Sequence, residues 1–320
     1  MSQAQHAVFL DHASLDQGDL DLSALQQTFD SLTLYPSTEP QQVLEHLQGA
    51  SVVITNKVVL DAQTLAACPS LKLVLIAATG TNNVDLQAAA RLGIRVYNCQ
   101  GYGTASVAQH CLALMLALAT RLPDYQQAVR AGRWQQAEQF CLLDYPIMEL
   151  EGKTLGLLGY GELGGAVARL ASAFGMNILI GQLPGRPSAD RVPLAELLPQ
   201  IDVLSLHCPL NEQTRHLISA AELALLKPGA LLINTARGGI VDEQALADAL
   251  RRGHLAGAAT DVLSQEPPRE GNPLLADDIP RLIITPHSAW GSREARQRIV
   301  EQMRENALSF FVGKTLRQVA

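Results

Sequence analysis

The chain has 320 residues, 48% of them hydrophobic and 17% charged, and a formal net charge of −7. It is apolar enough to bury a core and too apolar for a disordered chain, and its length suits two domains. The acidic balance, with no basic cluster beyond Arg251-Arg252, argues against nucleic acid and anionic membranes as partners.

In chain order, short β-rich runs at 8–10, 51–55, 73–77 and 94–97 alternate with helical stretches. A helix starting near Thr104 is apolar almost all round, which suits burial between domains or subunits. A strand is predicted over 154–158, followed by a helical pattern over 166–174. The runs 177–180, 203–207, 231–234, 257–261 and 282–285 are nearly continuously apolar. Such runs predict strands buried on both faces, as in a parallel sheet covered by helices. A final helix is predicted over 292–311, with Ile299, Met303, Ala307 and Phe311 four residues apart on one face. There is no internal repeat. The predicted fold is two doubly wound α/β domains, one inserted into the other.

Five cysteines (Cys68, Cys99, Cys111, Cys141, Cys208) lack zinc-type spacing, so free thiols and no metal are expected. The N-terminus has no basic segment leading into an apolar one. The apolar run 105–119 is interrupted by Gln109 and His110 and is too short to span a bilayer. The expectation is a cytoplasmic protein.

The most informative stretch follows the 154–158 strand. Gly159, Gly161 and Gly164 form a GxGxxG between a strand and a helix, the setting a dinucleotide requires. Gly159 permits the tight turn, Gly161 lets the backbone approach a pyrophosphate, and Gly164 lets helix and strand pack closely. The pyrophosphate is then expected on the unpaired amides of the helix N-terminus.

Three later strands end in chemistry-bearing residues, where open α/β sheets place ligands. The first runs into Thr235-Ala236-Arg237, the second through Asp261 to Glu266, and the third into His287-Ser288-Ala289. An arginine fork suits a carboxylate. Histidine titrates near neutrality, and a carboxylate beside it orients the ring and favours its charged form. Together they make an acid/base site with an anion anchor.

With these motifs the sequence resembles the D-isomer-specific 2-hydroxyacid dehydrogenase family, within it the glycerate dehydrogenase/hydroxypyruvate reductase branch. The likeness extends over nearly the whole chain, from Val52-Val-Ile-Thr-Asn-Lys57 to Thr285-Pro-His-Ser-Ala-Trp290. The branch is marked by Thr55-Asn-Lys57, Gly80-Thr-Asn-Asn-Val-Asp85, Asn98-Cys-Gln-Gly-Tyr102, Val107-Ala-Gln-His110 and Phe140-Cys-Leu-Leu-Asp144.

The resemblance implies a Rossmann NAD(P)-binding domain over 101–289, inserted into a flavodoxin-like substrate domain built from 1–100 and 290–320. The active site would lie in the cleft between them. His287 would be the acid/base, Glu266 its partner and Arg237 the carboxylate anchor. Asn56, Lys57, Thr79 and Gly80 would contact substrate with Arg237 and His287. Cofactor contacts would come from Thr104, Gly159, Tyr160, Gly161, Glu162, Leu163, Gly164, Thr235, Ala236, Arg237, His287 and Ala289. Asp261 would sit near the nicotinamide, and His207, Pro209 and Thr214 along the adenosine side. A homodimer is implied, with the apolar helix after Thr104 near its interface.

One departure stands out. Where NAD enzymes carry an acidic residue for the ribose 2′-OH, this chain has Gln182, with Arg186 nearby. NADP(H) acceptance is therefore expected, with NAD(H) still usable. Asn82 and Gln109 stand where many relatives have Asp and Glu, and neither change removes a catalytic group. A non-enzymatic nicotinamide-sensing protein is the rival reading from another class, disfavoured by the lack of a long tail. The resemblance implies hydroxypyruvate/D-glycerate as the substrate pair, with glyoxylate, D-lactate and phosphite chemistry open at the same site. Formate chemistry is disfavoured by Glu266.

Overall fold

The computed structural model describes residues 5–186 and 188–320. They divide into two compact units: the chain up to Gly103 together with Gly291–Ala320, and Thr104–Trp290.

The first unit is built on a sheet of β1 (His6–Phe9), β2 (Ser31–Leu34), β3 (Val52–Thr55), β4 (Leu73–Ile76) and β5 (Arg95–Tyr97). Its order is β2-β1-β3-β4-β5, and all pairings are parallel. That is the doubly wound order expected of a flavodoxin-like domain. β3 and β4 are buried along their whole length, which explains why VVIT and LVLI read as unbroken apolar runs. β2 has no such run. Its Ser-Leu-Thr-Leu sequence forms a half-exposed edge, where mixed polarity is tolerated and the strand was not predicted.

The second unit carries β6 (Thr154–Leu158), β7 (Asn177–Gly181), β8 (Val203–Leu206), β9 (Leu231–Asn234), β10 (Gly257–Thr260) and β11 (Leu282–Ile284). The parallel order β11-β10-β9-β8-β6-β7 reverses direction at β6, so the chain ends of β6 and β8 open a crevice between them. Alternate residues feed two cores. Leu204, Leu206, Leu232 and Ala258 join the one beneath the Glu243–Arg251 helix. Leu155, Leu157, Leu231, Ile233 and Ala259 join the one beneath the Thr104–Ala119 and Glu162–Ala173 helices.

Burial on both faces holds for β8, β9 and β10 but not for β7 and β11. Those two are the sheet's edges and are covered on fewer sides.

The Thr104–Ala119 helix owes most of its apolar surface to this sheet. Val107, Ala108, Cys111, Leu112, Leu114, Met115 and Leu118 are buried, while Ala105, Gln109 and Ala113 form an exposed stripe. The last helix, Arg293–Phe311, begins one residue after the predicted start because Ser292 is its N-cap, accepting from the Ala295 amide. Among the described residues no single helix is long and apolar enough to cross a membrane, and all five cysteines are free.

Candidate active site

At the end of β6 the chain turns sharply at Gly159, whose φ is +100°. A Cβ there would lie 2.5 Å from the carbonyl of His207, so β6 and the loop after β8 meet backbone to backbone. Gly164 is equally constrained, since its Cβ would fall 2.1 Å from Gly159 O. Gly161 differs: nothing lies within 4 Å of the position a Cβ would take. The loop therefore encloses open space at the N-terminus of the Glu162–Ala173 helix, which fits a pyrophosphate on the helix amides. Tyr160, Gly161 and Glu162 are exposed along it, and Leu163 is half-buried. Thr104 Oγ1 donates to Glu162 Oε1 at 2.6 Å.

Across the crevice, His207 Nε2 pairs with Ser205 Oγ at 2.8 Å, while its Nδ1 is buried with no partner among the described residues. Burial pushes the ring's pKa down to about 4, so it is neutral in the folded protein and no acid catalyst. Thr214 Oγ1 donates to Pro209 O at 2.7 Å and closes the loop after β8. Thr235 Oγ1 is a second buried polar atom without a partner among the described residues. Orphan polar atoms on the rim of an open cradle fit a polar ligand such as a dinucleotide. At the end of β7, the Gln182 amide donates to Val192 O at 2.8 Å, and Arg186 is exposed on the turn that follows.

The three adjacent strands β9, β10 and β11 deliver the candidate acid/base residues. After β9, Asn234 Nδ2 donates to Arg237 O and its Oδ1 accepts from the Ala236 amide, both at 3.0 Å, fixing the backbone before the arginine. Arg237 is exposed, with Nη1 donating to Ala236 O at 2.7 Å. Gly238 follows because nothing larger fits: its Cβ would lie 1.9 Å from Leu263 O. That approach links the arginine's strand end to the loop bearing Glu266. Glu243 braces the same loop, accepting from Ser264 N, Ser264 Oγ and Asn272 Nδ2, each at 2.7 Å.

Glu266 Oε1 accepts from Leu263 N at 2.9 Å, and Oε2 faces His287 Nδ1 at 2.5 Å. Both carboxylate oxygens thus have partners, and the ring meets Glu266 through Nδ1 rather than Nε2. His287 stands at φ +52°, a left-handed conformation that costs a non-glycine residue free energy. Asp261, 2% exposed, holds it there. Its carbonyl accepts from His287 N at 2.8 Å, and its carboxylate accepts from Ser288 N at 2.9 Å and Ala289 N at 3.0 Å. Asp261 is thus a buried brace beneath the histidine as well as a candidate nicotinamide neighbour.

The remaining predicted residues belong to the first unit. Asn56 and Lys57 follow β3, and their amides donate to the buried Asp11 carboxylate at 2.8 and 2.7 Å. Thr79 and Gly80 follow β4, where Asn98 Nδ2 donates to Thr79 O at 2.8 Å. Asp11, Gly238 and Glu243 are supports that sequence reasoning did not single out, since each acts on a segment far away in the chain.

A Rossmann-type unit with a glycine cradle and a Glu–His pair on the rim of its sheet defines a nicotinamide-dependent oxidoreductase. Comparison with known proteins narrows the class. Residues 112–289 match the family model of the D-isomer specific 2-hydroxyacid dehydrogenase, NAD binding domain. A glycerate dehydrogenase of Methylorubrum extorquens is 44% identical over 308 residues, 96% of each chain. A hydroxypyruvate reductase of Blautia hydrogenotrophica is 36% identical over 322 residues, 98% of each chain. An acyclic imino acid reductase (Bsp5), solved in complex with NADPH and D-Arg, superposes with a TM-score of 0.85 at 26% identity, covering 99% of this chain and 100% of that one. The chain belongs to the D-isomer specific 2-hydroxyacid dehydrogenase family.

Proposed function

We propose that the chain reduces a small 2-keto acid to its D-2-hydroxy acid with NAD(P)H, hydroxypyruvate to D-glycerate above all and glyoxylate as a second substrate. The observation that carries this reading is the Glu266–His287 pair at 2.5 Å, one strand away from Arg237. The relatives named glycerate dehydrogenase and hydroxypyruvate reductase support the choice of substrate.

When bound, the nicotinamide supplies the hydride that reduces the substrate's carbonyl carbon. His287 Nε2 gives the carbonyl oxygen its proton and takes it back in the reverse direction. Glu266, accepting from Nδ1, fixes the ring's orientation and stabilises the charged imidazole. Arg237 grips the substrate carboxylate through its planar fork. In this reading the unit Thr104–Trp290 binds the dinucleotide, and Asn56, Lys57, Thr79 and Gly80 are the proposed substrate contacts.

The uncharged Gln182 and the exposed Arg186 support acceptance of a cofactor 2′-phosphate, with NAD(H) also used. Phe140 and Leu143, 90% and 80% exposed, support a homodimer that covers them. The five free cysteines support a reducing compartment, the cytoplasm.

Nicotinamide absorbance, followed with hydroxypyruvate, glyoxylate and pyruvate against both NADH and NADPH, tests the reading. Fast oxidation with hydroxypyruvate is expected, and Gln182→Asp should move the preference toward NADH. Tight cofactor binding without turnover on any of the three acids would overturn it.

A further inference from the structure

The Thr104–Ala119 helix touches the turn that carries His287 through two side chains one helical turn apart. Ser106 Oγ donates to Ala289 O at 2.6 Å. His110 Nε2 lies 3.0 Å from Thr285 Oγ1 and 3.7 Å from Asp261 Oδ1. Residues four apart share a helix face, so this pair brackets the turn at its first and last residues.

The direction of the contacts follows from counting donors. Thr285 has a single hydroxyl proton, and Asp261 Oδ1 receives it at 2.5 Å. The Thr285 oxygen can then only accept from His110, so His110 Nε2 carries a hydrogen. Asp261 in turn accepts from the amides of Ser288 and Ala289. A chain of donors thus runs from His110 through Thr285 to Asp261, which accepts the His287, Ser288 and Ala289 amides through its carbonyl and carboxylate.

We propose that His110 is a positioning residue for the hydride-transfer reaction: through Thr285 and Asp261 it holds the strained turn that aims His287. A left-handed histidine persists only where its surroundings over-determine it. Two strand-end residues supply that constraint here, and His110 ties them to the helix. The inference rests on His287 being the acid/base, and the test separates the two claims.

Turnover of hydroxypyruvate, NADPH affinity by fluorescence titration and thermal unfolding are measured for His110→Ala, His110→Gln, Thr285→Val, the His110→Ala/Thr285→Val double variant and His287→Ala. A displacement of about 1 Å at a reacting group costs on the order of 10²-fold. His110→Ala is therefore expected to lower kcat by roughly 10- to 100-fold with NADPH affinity unchanged. His110→Gln, which returns a donor to the same place, recovers most of the loss. The double variant is no worse than Thr285→Val alone, because both changes break one chain.

Wild-type turnover in His110→Ala overturns the proposal. So does a loss in both His110 variants that merely follows lost cofactor binding and stability. If His110→Ala does not fold, full activity in Thr285→Val overturns it instead. An inactive His287→Ala beside a fully active His110→Ala sinks this inference alone, whereas an active His287→Ala sinks the catalytic reading beneath it.

Discussion

The two halves of the second unit's rim are built on different principles. Around β6 and β8 the candidate ligand surface is backbone. Gly159 and Gly164 allow main chains to approach where a Cβ would sit 2.5 and 2.1 Å from backbone atoms, and Gly161 leaves space open. Around β9, β10 and β11 the surface is side chain, with Arg237, Glu266 and His287 each held by a neighbour's carboxylate, amide or carbonyl. A backbone cradle fails by steric intrusion, and a side-chain site fails by losing a proton or an orientation. Substitutions should therefore separate affinity from turnover.

The largest effect is expected on the side-chain half. Removing the proposed proton donor with His287→Ala should lower kcat by about 10²–10⁴-fold, the usual worth of general acid/base catalysis. Cofactor affinity should be unchanged, as read by fluorescence titration. Near-normal turnover would show that the proton comes from elsewhere.

On the backbone half the expected pattern inverts. Gly164→Ala drives a methyl group against Gly159 O, a backbone atom that has no rotamer to yield. Such overpacking costs roughly 1–3 kcal/mol, so both the melting temperature and NADPH affinity should fall. Gly161→Ala meets no protein atom and should keep the melting temperature while weakening the cofactor. If Gly161→Ala binds NADPH normally, the open space is not the pyrophosphate site.

This contrast also explains what could be read in the sequence. The glycine fingerprint is local, with every residue that makes the cradle lying within one strand-turn-helix, so it was legible. Strands β8, β9 and β10 were legible because burial on both faces leaves unbroken apolar runs. The edge strand β2 escaped because exposure lets Ser31 and Thr33 into it. Glu266 and His287 could be read as strand-end residues of the right chemistry. The supports could not, since His110 meets Thr285 across 175 positions and Asp11 reaches Asn56 across 45. No local periodicity encodes such pairs. Only the parallel order of the strands brings them together.

His207, in the backbone half, has its pKa lowered by burial from an ordinary 6.5 to about 4. Between these values the unfolded chain binds the proton that the folded one refuses. Stability from this residue is therefore complete above about pH 6.5 and falls as the pH drops toward 4. Melting temperatures measured across that window should fall less steeply for His207→Asn than for the parent chain. An unchanged slope would mean that other groups carry the acid sensitivity.

The smallest effect lies at the opposite end of β6, away from either ligand surface. Asp202 accepts from Thr154 N at 2.8 Å and from Lys227 Nζ at 3.0 Å. Burial alone would raise its carboxyl, but the Thr154 amide and then Lys227 outweigh it and hold the value below the ordinary 3.8. A lowered carboxylate stabilises the fold above its unfolded value and stops doing so as the pH falls through the folded one. Asp202→Asn keeps an acceptor for Thr154 and loses only the charge, with Lys227 more than a third exposed. The expected cost at neutral pH is therefore no more than about 1 kcal/mol, shrinking toward zero in acid and in high salt. Catalysis should not change, because β6 transmits nothing to the rim except its position. A fall in turnover in Asp202→Asn would mean that the strand's lower end moves the glycine cradle, and the two halves would no longer be independent of the sheet that carries them.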